Sequence, residues 1–438
     1  MLDIKFIREN AKLVKQSVKN RNKKADIDQI LELDKERREL IAKIDALRAE
    51  QKSLSVSPPA APSVIPAKAR LAEALAKRAG IQAKAKEIKL KIKELEPRLK
   101  ETEEALAIAV PAVPNIPLPD VPVGKDENDN QVMRAVGKPT KMDFEPKDHL
   151  ALGEALGIID VERAAKISGN RFCYLKGGAA RLQMALIQYV YDVALKHDFV
   201  PVIPPVIVKR ETAAGSGHPE AVGDEAYHLD QDDQFLVGTS EQSILPMYRD
   251  EILDENVLPI RYLGYSTCFR REAGSYGKDM RGILRQHQFD KLEMFVFCKP
   301  EDSEHEHERI LRVEEELMQG LELPYRVVKL CTGDMGFPSA KTYDIETWLP
   351  SQNKYRETHS TSNCTDYQTR NLNIKYRKNK ISPEQGRGAT LEYVHALNGT
   401  AFALGRIIIA IMENYQQKNG SIIVPKALQK YSGMKIIK

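Results

Sequence analysis

The sequence predicts an α+β protein: an N-terminal antiparallel helical hairpin followed by a larger domain on a mainly antiparallel β-sheet flanked by helices. Three observations carry this. Residues 1–110 hold long helical stripes of apolar residues broken by a single proline cluster; residues 111–124, PAVPNIPLPDVPVG, carry a proline every few positions; and beyond them β-branched or aromatic runs alternate with charged helical segments without a repeated βαβ period. The chain has 438 residues, 42% hydrophobic and 29% charged, which is long enough for two domains and too apolar for disorder.

In the hairpin, apolar residues recur at alternating spacings of three and four, at Ile30, Leu33, Leu40, Ile44, Leu47 and Leu54, with Arg37 and Gln51 in the remaining seam positions. That is a heptad seam. The stripe resumes on Leu71, Leu75, Ile81, Ile88, Ile92, Leu95, Leu99 and Leu106. The prolines between Ser55 and Pro66 forbid one continuous helix, so the second arm turns back on the first. At ~1.5 Å per residue such arms reach roughly 40 to 60 Å into solvent. Pro97, inside the second stripe, predicts a kink or an interruption. Lys84, Lys86, Lys89, Lys91 and Lys93 are left to face outward. From the residues alone this is either a solvated coiled coil or an arm for a polyanion.

Charge patterning bears on that choice. The net charge of +4 hides an imbalance, because residues 1–110 carry 25 basic and 17 acidic side chains while the remainder carries 41 and 45. A basic first region on an acidic body suits a polyanionic partner.

Residues 111–130 read as an extended linker, since prolines at that density exclude helix and central strand, and the expected division is 1–110, 111–130 and 131–438. Beyond it, Phe199–Val208, Tyr262–Phe269 and Met294–Cys298 have strand composition.

Several classes of function are set aside. MLDIKFIREN lacks the apolar core of a secretory signal, so a cytoplasmic location is expected. The most apolar stretch, Ile407 to Met412, is far short of the ~20 residues that cross a bilayer. Cys173, Cys268, Cys298, Cys331 and Cys364 are odd in number and form no C-x-x-C pair, which fits neither a disulfide framework nor a zinc ribbon. His305-Glu306-His307-Glu308 reads as a solvated helix face rather than a metal site.

The segment Ser266–Glu293, STCFRREAGSYGKDMRGILRQHQFDKLE, carries the chemistry. A strand ends in Phe269-Arg270-Arg271-Glu272, a Gly/Ser-rich loop follows, and a second strand starts near Phe289. Arginines bracketing such a loop can clamp phosphates bidentately, Glu272 can accept from an adenine amino group, and Phe289 offers a face for the ring. Taken alone, the same residues also describe a charged hairpin with ordinary surface pairs.

Read together, these motifs resemble those of class II aminoacyl-tRNA synthetases, and among them the seryl-tRNA synthetase family, over nearly the whole chain. F-R-x-E-A-G-S followed by R-G-hydrophobic-x-R-x-H-Q-F-x-K-x-E is complete from Phe269 to Glu293. Leu397-Asn398-Gly399-Thr400-Ala401-Phe402-Ala403-Leu404-Gly405-Arg406 is similar to the third class II motif, and Phe199-Val200-Pro201-Val202-Ile203-Pro204-Pro205 after the helix Leu182–His197 to the first, which in the family builds a dimer interface.

The resemblance implies ATP-dependent attachment of L-serine to tRNA(Ser) through a seryl-adenylate, with tRNA(Sec) as a further substrate, a homodimer, and the hairpin as the tRNA-binding arm; neither DNA nor membrane is a partner. It implies Arg270, Glu272 and Arg406 as catalytic residues, and Arg271, Phe289, Glu357, Thr358, His359 and Ser360 as further ATP-binding residues, with Glu357 and Ser360 on Mg²⁺. The serine pocket it implies is Thr239, Ser240, Glu241, Glu293 and Thr400, with Ser240 where relatives have alanine. The alternatives are a synthetase-like paralogue that loads a small amino acid onto a carrier protein, and a non-catalytic tRNA-binding relative.

Overall fold

A computed structural model describes residues 1–55, 67–273, 282–378 and 390–438. The expected arm tip and the loop residues 274–281 between the two strands of the Ser266–Glu293 segment lie outside the described residues. The chain divides into two compact units, one of Leu2–Val18 with Lys23–Val113 and one of Met1, Lys19–Asn22 and Pro114–Lys438.

The first unit is dominated by helices α1 (Ile27–Ser55) and α2 (Ala67–Ala109), which pack on each other. Seam residues Ile30, Leu40, Ile44, Ile88 and Leu106 are buried, whereas Leu75 is exposed. Arg37, one of the two polar residues in the seam, reaches across to Glu103 at 3.1 Å. Asp34 is buried between Arg8 and Arg38, at 2.9 and 3.0 Å. Pro97 does not interrupt α2. Its neighbours are tied to the facing helix, Glu96 to Arg48 at 3.0 Å and Arg98 to Glu36 at 2.7 Å, so the pairing of the two arms holds the turn that the proline weakens. All five candidate lysines are exposed. Two of them are not free charges: Lys84 pairs with Glu50 at 2.8 Å across the hairpin, and Lys91 with Glu87 at 2.7 Å one turn away.

The second unit is built on an eight-stranded sheet of β1 (Gln131–Val136), β2 (Val200–Val202), β3 (Ile260–Phe269), β4 (Gln288–Cys298), β5 (Tyr325–Lys329), β6 (Lys341–Leu349), β7 (Lys354–Asn363) and β8 (His395–Ala403). Their order is β1-β5-β6-β7-β8-β4-β3-β2. Every pair is antiparallel except β2 with β3, where the edge strand runs parallel. Helices α3 (Gly177–Ala194), α4 (Ser303–Gly320) and α5 (Leu404–Asn414) join the sheet's apolar side chains in one core. α5 is apolar nearly all round because it is buried nearly all round, which is where the run Ile407–Met412 goes.

Alternation along the strands separates core from cavity. On β4, Leu292, Met294, Val296 and Cys298 enter the core, while Phe289, Lys291 and Glu293 line a cavity. Phe295 and Phe297, further along that second face, join a smaller cluster with Ile244 and Leu245. α4 crosses close behind β8: a Cβ at Gly399 would lie 2.3 Å from Ile310 Cγ2 and 2.8 Å from Glu314 Oε1, so only glycine fits between Asn398 and Thr400.

The proline-rich segment is strapped along this unit. The buried Asn115 amide donates to the carbonyls of Pro338 and Cys364 at 2.8 and 2.9 Å, Leu118 N donates to Ala340 O, and Val121 packs with Val328, Leu330 and Met335. The His305–Glu308 run is only partly a solvated face: His305 is exposed, whereas Glu306 is buried against Arg261 at 2.7 Å and His307 is buried with Nε2 3.0 Å from Thr361 O. Burial pushes His307 down to about 4, so it is a neutral hydrogen-bonding residue of the core.

Candidate active site

A cavity of about 810 Å³ opens on the face of the sheet away from the main core. The side chains that the sheet contributes reach it through strand alternation or a break in that alternation, and others come from a short helix, the start of α5 and the connecting loops.

Two β-bulges provide the break. On β7, Glu357 pairs with Glu346 and His359 with Ile345, leaving Thr358 without a partner residue. In a regular strand, residues three apart face opposite sides; the extra residue puts Glu357 and Ser360 on the same side, both lining the cavity. On β8, Thr400 pairs with Glu293 and Phe402 with Leu292, and Ala401 is the extra residue. Thr400 and Ala403 therefore both reach the cavity.

One group is a pocket of carboxylates and hydroxyls. Glu241 opens the short helix Glu241–Ile244; its Oε1 accepts from Gln368 Nε2 at 2.5 Å and lies 3.4 Å from His218 Nε2. Its backbone N–H donates to Thr239 Oγ1 at 3.3 Å. Glu293 Oε2 receives Lys291 Nζ at 2.5 Å and Thr400 Oγ1 at 3.2 Å. Burial raises both carboxyls, but the balance differs. At Glu241 the His218 imidazole, the Gln368 amide and Lys291 outweigh burial and leave the carboxyl below its ordinary value. At Glu293 burial prevails over Lys291, with Glu241 adding to the rise, and the carboxyl stands above its ordinary value.

A second group holds the arginines. Arg270 Nε donates to Gly238 O at 3.2 Å, and its guanidinium lies 5.4 Å over the Phe289 ring. Glu272 has a left-handed backbone, φ +52°, which turns the chain out of β3, and its Oε2 meets Arg285 Nη1 at 3.1 Å. Arg406, in the first turn of α5, donates from Nη1 to the backbone oxygen and Oε1 of Glu357 at 3.1 and 2.9 Å. Desolvation in the recess raises Glu357, and Arg406, aided by Arg270 and Arg285, more than reverses it. Asp344 stands opposite Ser360 on β6, and burial beside Glu357 pushes its carboxyl well above the ordinary range. Asp344 Oδ1 is buried without a hydrogen-bond partner among the described residues. Asp344, Glu357 and Ser360 are hard oxygen donors and suit a divalent cation of the magnesium type.

Of the residues singled out from the sequence, Arg270, Glu272, Phe289, Glu357, Thr358, Ser360, Arg406, Thr239, Glu241, Glu293 and Thr400 line this one cavity. Three do not. Arg271 lies with its guanidinium 5.7 Å over Tyr227. His359 is turned to the core by the alternation after the bulge, with Nδ1 2.9 Å from Thr358 Oγ1 and its ring edge-on to Phe402; burial pushes it down to about 3. Ser240 is fully buried, and its hydroxyl sits against β3, where a Cβ at Gly264 would lie 2.7 Å from it. Thr358 borders the cavity, yet its hydroxyl is engaged with Thr347 Oγ1 at 2.7 Å.

Ser240 Oγ has no partner among the described residues, and a buried unpaired hydroxyl costs about 1–3 kcal/mol. Ser240→Ala is expected to raise stability by about 1 kcal/mol, measured as a higher melting temperature. An unchanged or lower melting temperature would show that the hydroxyl is satisfied.

Lys291, Asp344, Glu346, Asn398 and Arg285 also line the cavity, and Gln368 orients Glu241. None was singled out from the sequence. Asp344-x-Glu346 alternates with the apolar Tyr343 and Ile345, a signal that could have marked a polar sheet face.

Comparison with known proteins agrees with this geometry. Residues 1–117 match the model for the seryl-tRNA synthetase N-terminal domain, and residues 227–415 that for the tRNA synthetase class II core domain (G, H, P, S and T). A serine–tRNA ligase of Thermosipho africanus is 49% identical over the whole of this chain and 99% of its own length, and one of Petrotoga mobilis 46% identical over the whole of both. The crystal structure of seryl-tRNA synthetase from Pyrococcus horikoshii complexed with ATP superposes with a TM-score of 0.89 at 41% identity, covering 100% of this chain and 99% of that one. With the sheet, the two bulges and the paired arginines and carboxylates in place, the chain belongs to the seryl-tRNA synthetase family.

Proposed function

We propose that the protein joins L-serine to tRNA in two ATP-driven steps. A serine carboxylate oxygen attacks the α-phosphorus of ATP, giving seryl-adenylate and pyrophosphate. A ribose hydroxyl at the tRNA 3′ end then attacks the seryl carbonyl, and AMP leaves. The observation that carries this reading is one cavity holding both a carboxylate-and-hydroxyl pocket, at Glu241, Glu293 and Thr400, and the Arg270–Phe289 and Arg406–Glu357 pairs.

The chemistry needs no enzyme nucleophile. In-line displacement at phosphorus is served by positioning and by cations placed where charge develops. Arg270 holds the α-phosphate, Arg406 the γ-phosphate end, Glu272 the adenine amino group, and Phe289 the face of the base. Glu357 and Ser360 are the residues to hold Mg²⁺, which when bound supplies positive charge to the triphosphate. Among the described residues no three His, Cys, Asp or Glu side chains converge as a ready-made metal site. In the serine pocket, Glu241 takes the ammonium, while Glu293 and Thr400 take the hydroxyl. A site built to bond a hydroxyl rejects the analogue lacking it, here alanine, by roughly 10⁴–10⁵.

The N-terminal hairpin is the tRNA-binding arm in this reading, with tRNA(Ser) and also tRNA(Sec) as partners. Exposed Met184 on α3, Val200 on β2 and Ile203 beside it support a homodimer, and the location in this reading is cytoplasmic. Loading of a carrier protein is disfavoured by the N-terminal unit, and a non-catalytic role by the complete set of charged pairs. The test is amino-acid-dependent ATP–pyrophosphate exchange with serine, threonine, alanine and glycine in parallel. Exchange is expected with serine far above the others, and its absence with serine would sink the proposal.

A further inference from the structure

We propose that Lys291 is a positioning residue for the amino-acid pocket: it fixes which oxygen Glu293 presents to the substrate and keeps that carboxyl ionised. The inference rests on the serine-activating reading of the same cavity.

Lys291 is 7% exposed and Glu293 2% exposed, two residues apart on the cavity face of β4. A lysine is seldom buried without a partner, and this one places Nζ 2.5 Å from Glu293 Oε2. Thr400, brought opposite Glu293 by the bulge at Ala401, donates to the same oxygen. Both donors therefore hold Oε2. Glu293 itself lines the cavity. The carboxylate is clamped by one oxygen and offers the other.

The charge balance points the same way. Glu241 and Glu293 adjoin each other, and Lys291 opposes the rise of Glu293 while lowering Glu241. With Lys291 the pair of carboxylates carries a net charge suited to one substrate ammonium; without it, the two buried carboxylates repel. The groups facing Glu293 are Lys291 on β4, Glu241 on its short helix with His218 beyond, Cys268 on β3 and Glu314 on α4 behind the sheet. Lys291 is the one cation in direct contact with Glu293 among the described residues. Its removal lets burial carry the Glu293 carboxyl further up, so that ionisation is lost on falling pH from a higher starting point.

The experiment is ATP–pyrophosphate exchange by the full chain, followed as a series from about pH 6 to about pH 9. Lys291→Met is expected to raise the serine KM by about tenfold or more near pH 7, with a smaller change in kcat, and to erode discrimination against alanine. Its KM is expected to fall as pH rises, while the native KM is flatter. Lys291→Gln, which keeps a donor without the charge, serves as a second variant should Lys291→Met fold poorly, and the same pH-dependent KM is expected. Lys291→Arg is expected to restore most of the affinity. An unchanged serine KM in either neutral variant overturns the inference, as does a loss that is independent of pH and not relieved by arginine. Absence of serine-dependent exchange in the native protein is a different result: it removes the underlying reading, whereas the outcomes above leave native activity intact.

Discussion

Arg406→Ala is expected to lower serine-dependent ATP–pyrophosphate exchange by about 10²–10³ or more, the loss typical of deleting one preorganised charge from a site of developing negative charge. Arg406 is the direct cationic partner of Glu357, bonded to both its backbone oxygen and Oε1. Its loss acts twice. The triphosphate loses a counter-charge, and the Glu357 carboxyl, held below its ordinary value chiefly by Arg406 against desolvation, moves back up and is less available as an anion. The guanidinium faces the cavity and not the core, so circular dichroism and the melting temperature should stay near native. Exchange within tenfold of native would show that Arg406 does not act on ATP, and a melted spectrum would make it structural.

Deleting residues 28–106 is expected to separate the two half-reactions. Pyrophosphate exchange should persist, because every cavity residue lies beyond residue 126. Aminoacylation of tRNA should fall by orders of magnitude, measured with the same preparation and saturating serine and ATP. The native arm should also show salt-sensitive tRNA binding, by about 0.7–0.9 log units per log[salt] for each phosphate neutralised. With Lys84 and Lys91 already paired to Glu50 and Glu87, the steepest contribution is expected from Lys86, Lys89 and Lys93. Unimpaired charging by the deleted form would remove the arm from tRNA recognition.

Much of the architecture was legible because it is local. The seam of α1 and α2 is written in heptads, and the run Leu182–His197 reads as a helix that the structure extends back to Gly177. The interruption that Pro97 allows does not occur, and the ion pairs at Glu96 and Arg98 join its turn to the facing helix. The His305–Glu308 run misled in part: charge suggests solvent, but Glu306 is buried by its pairing with Arg261. Candidate residues carried by the long motif, such as Arg270, Glu272, Phe289 and Glu293, were named by type and order, and they line one cavity. Lys291 lay within that motif and was passed over, since its contact with Glu293, two residues away on the same strand face, appears only in the fold.

By itself the sequence determined the helical hairpin, the α+β class and, through its contiguous motifs, the family; these are encoded in short-range periodicity and local motifs. Only the tertiary structure decided which side chains meet. Sheet order brings β8 between β4 and β7, and single extra residues at Thr358 and Ala401 reverse the facing of everything beyond them. That is why Ser360 enters the cavity while His359 leaves it, and why Thr400 reaches Glu293. Because side-chain direction in a strand has a period of two, one inserted residue exchanges core for cavity, and that register belongs to the pairing of distant strands.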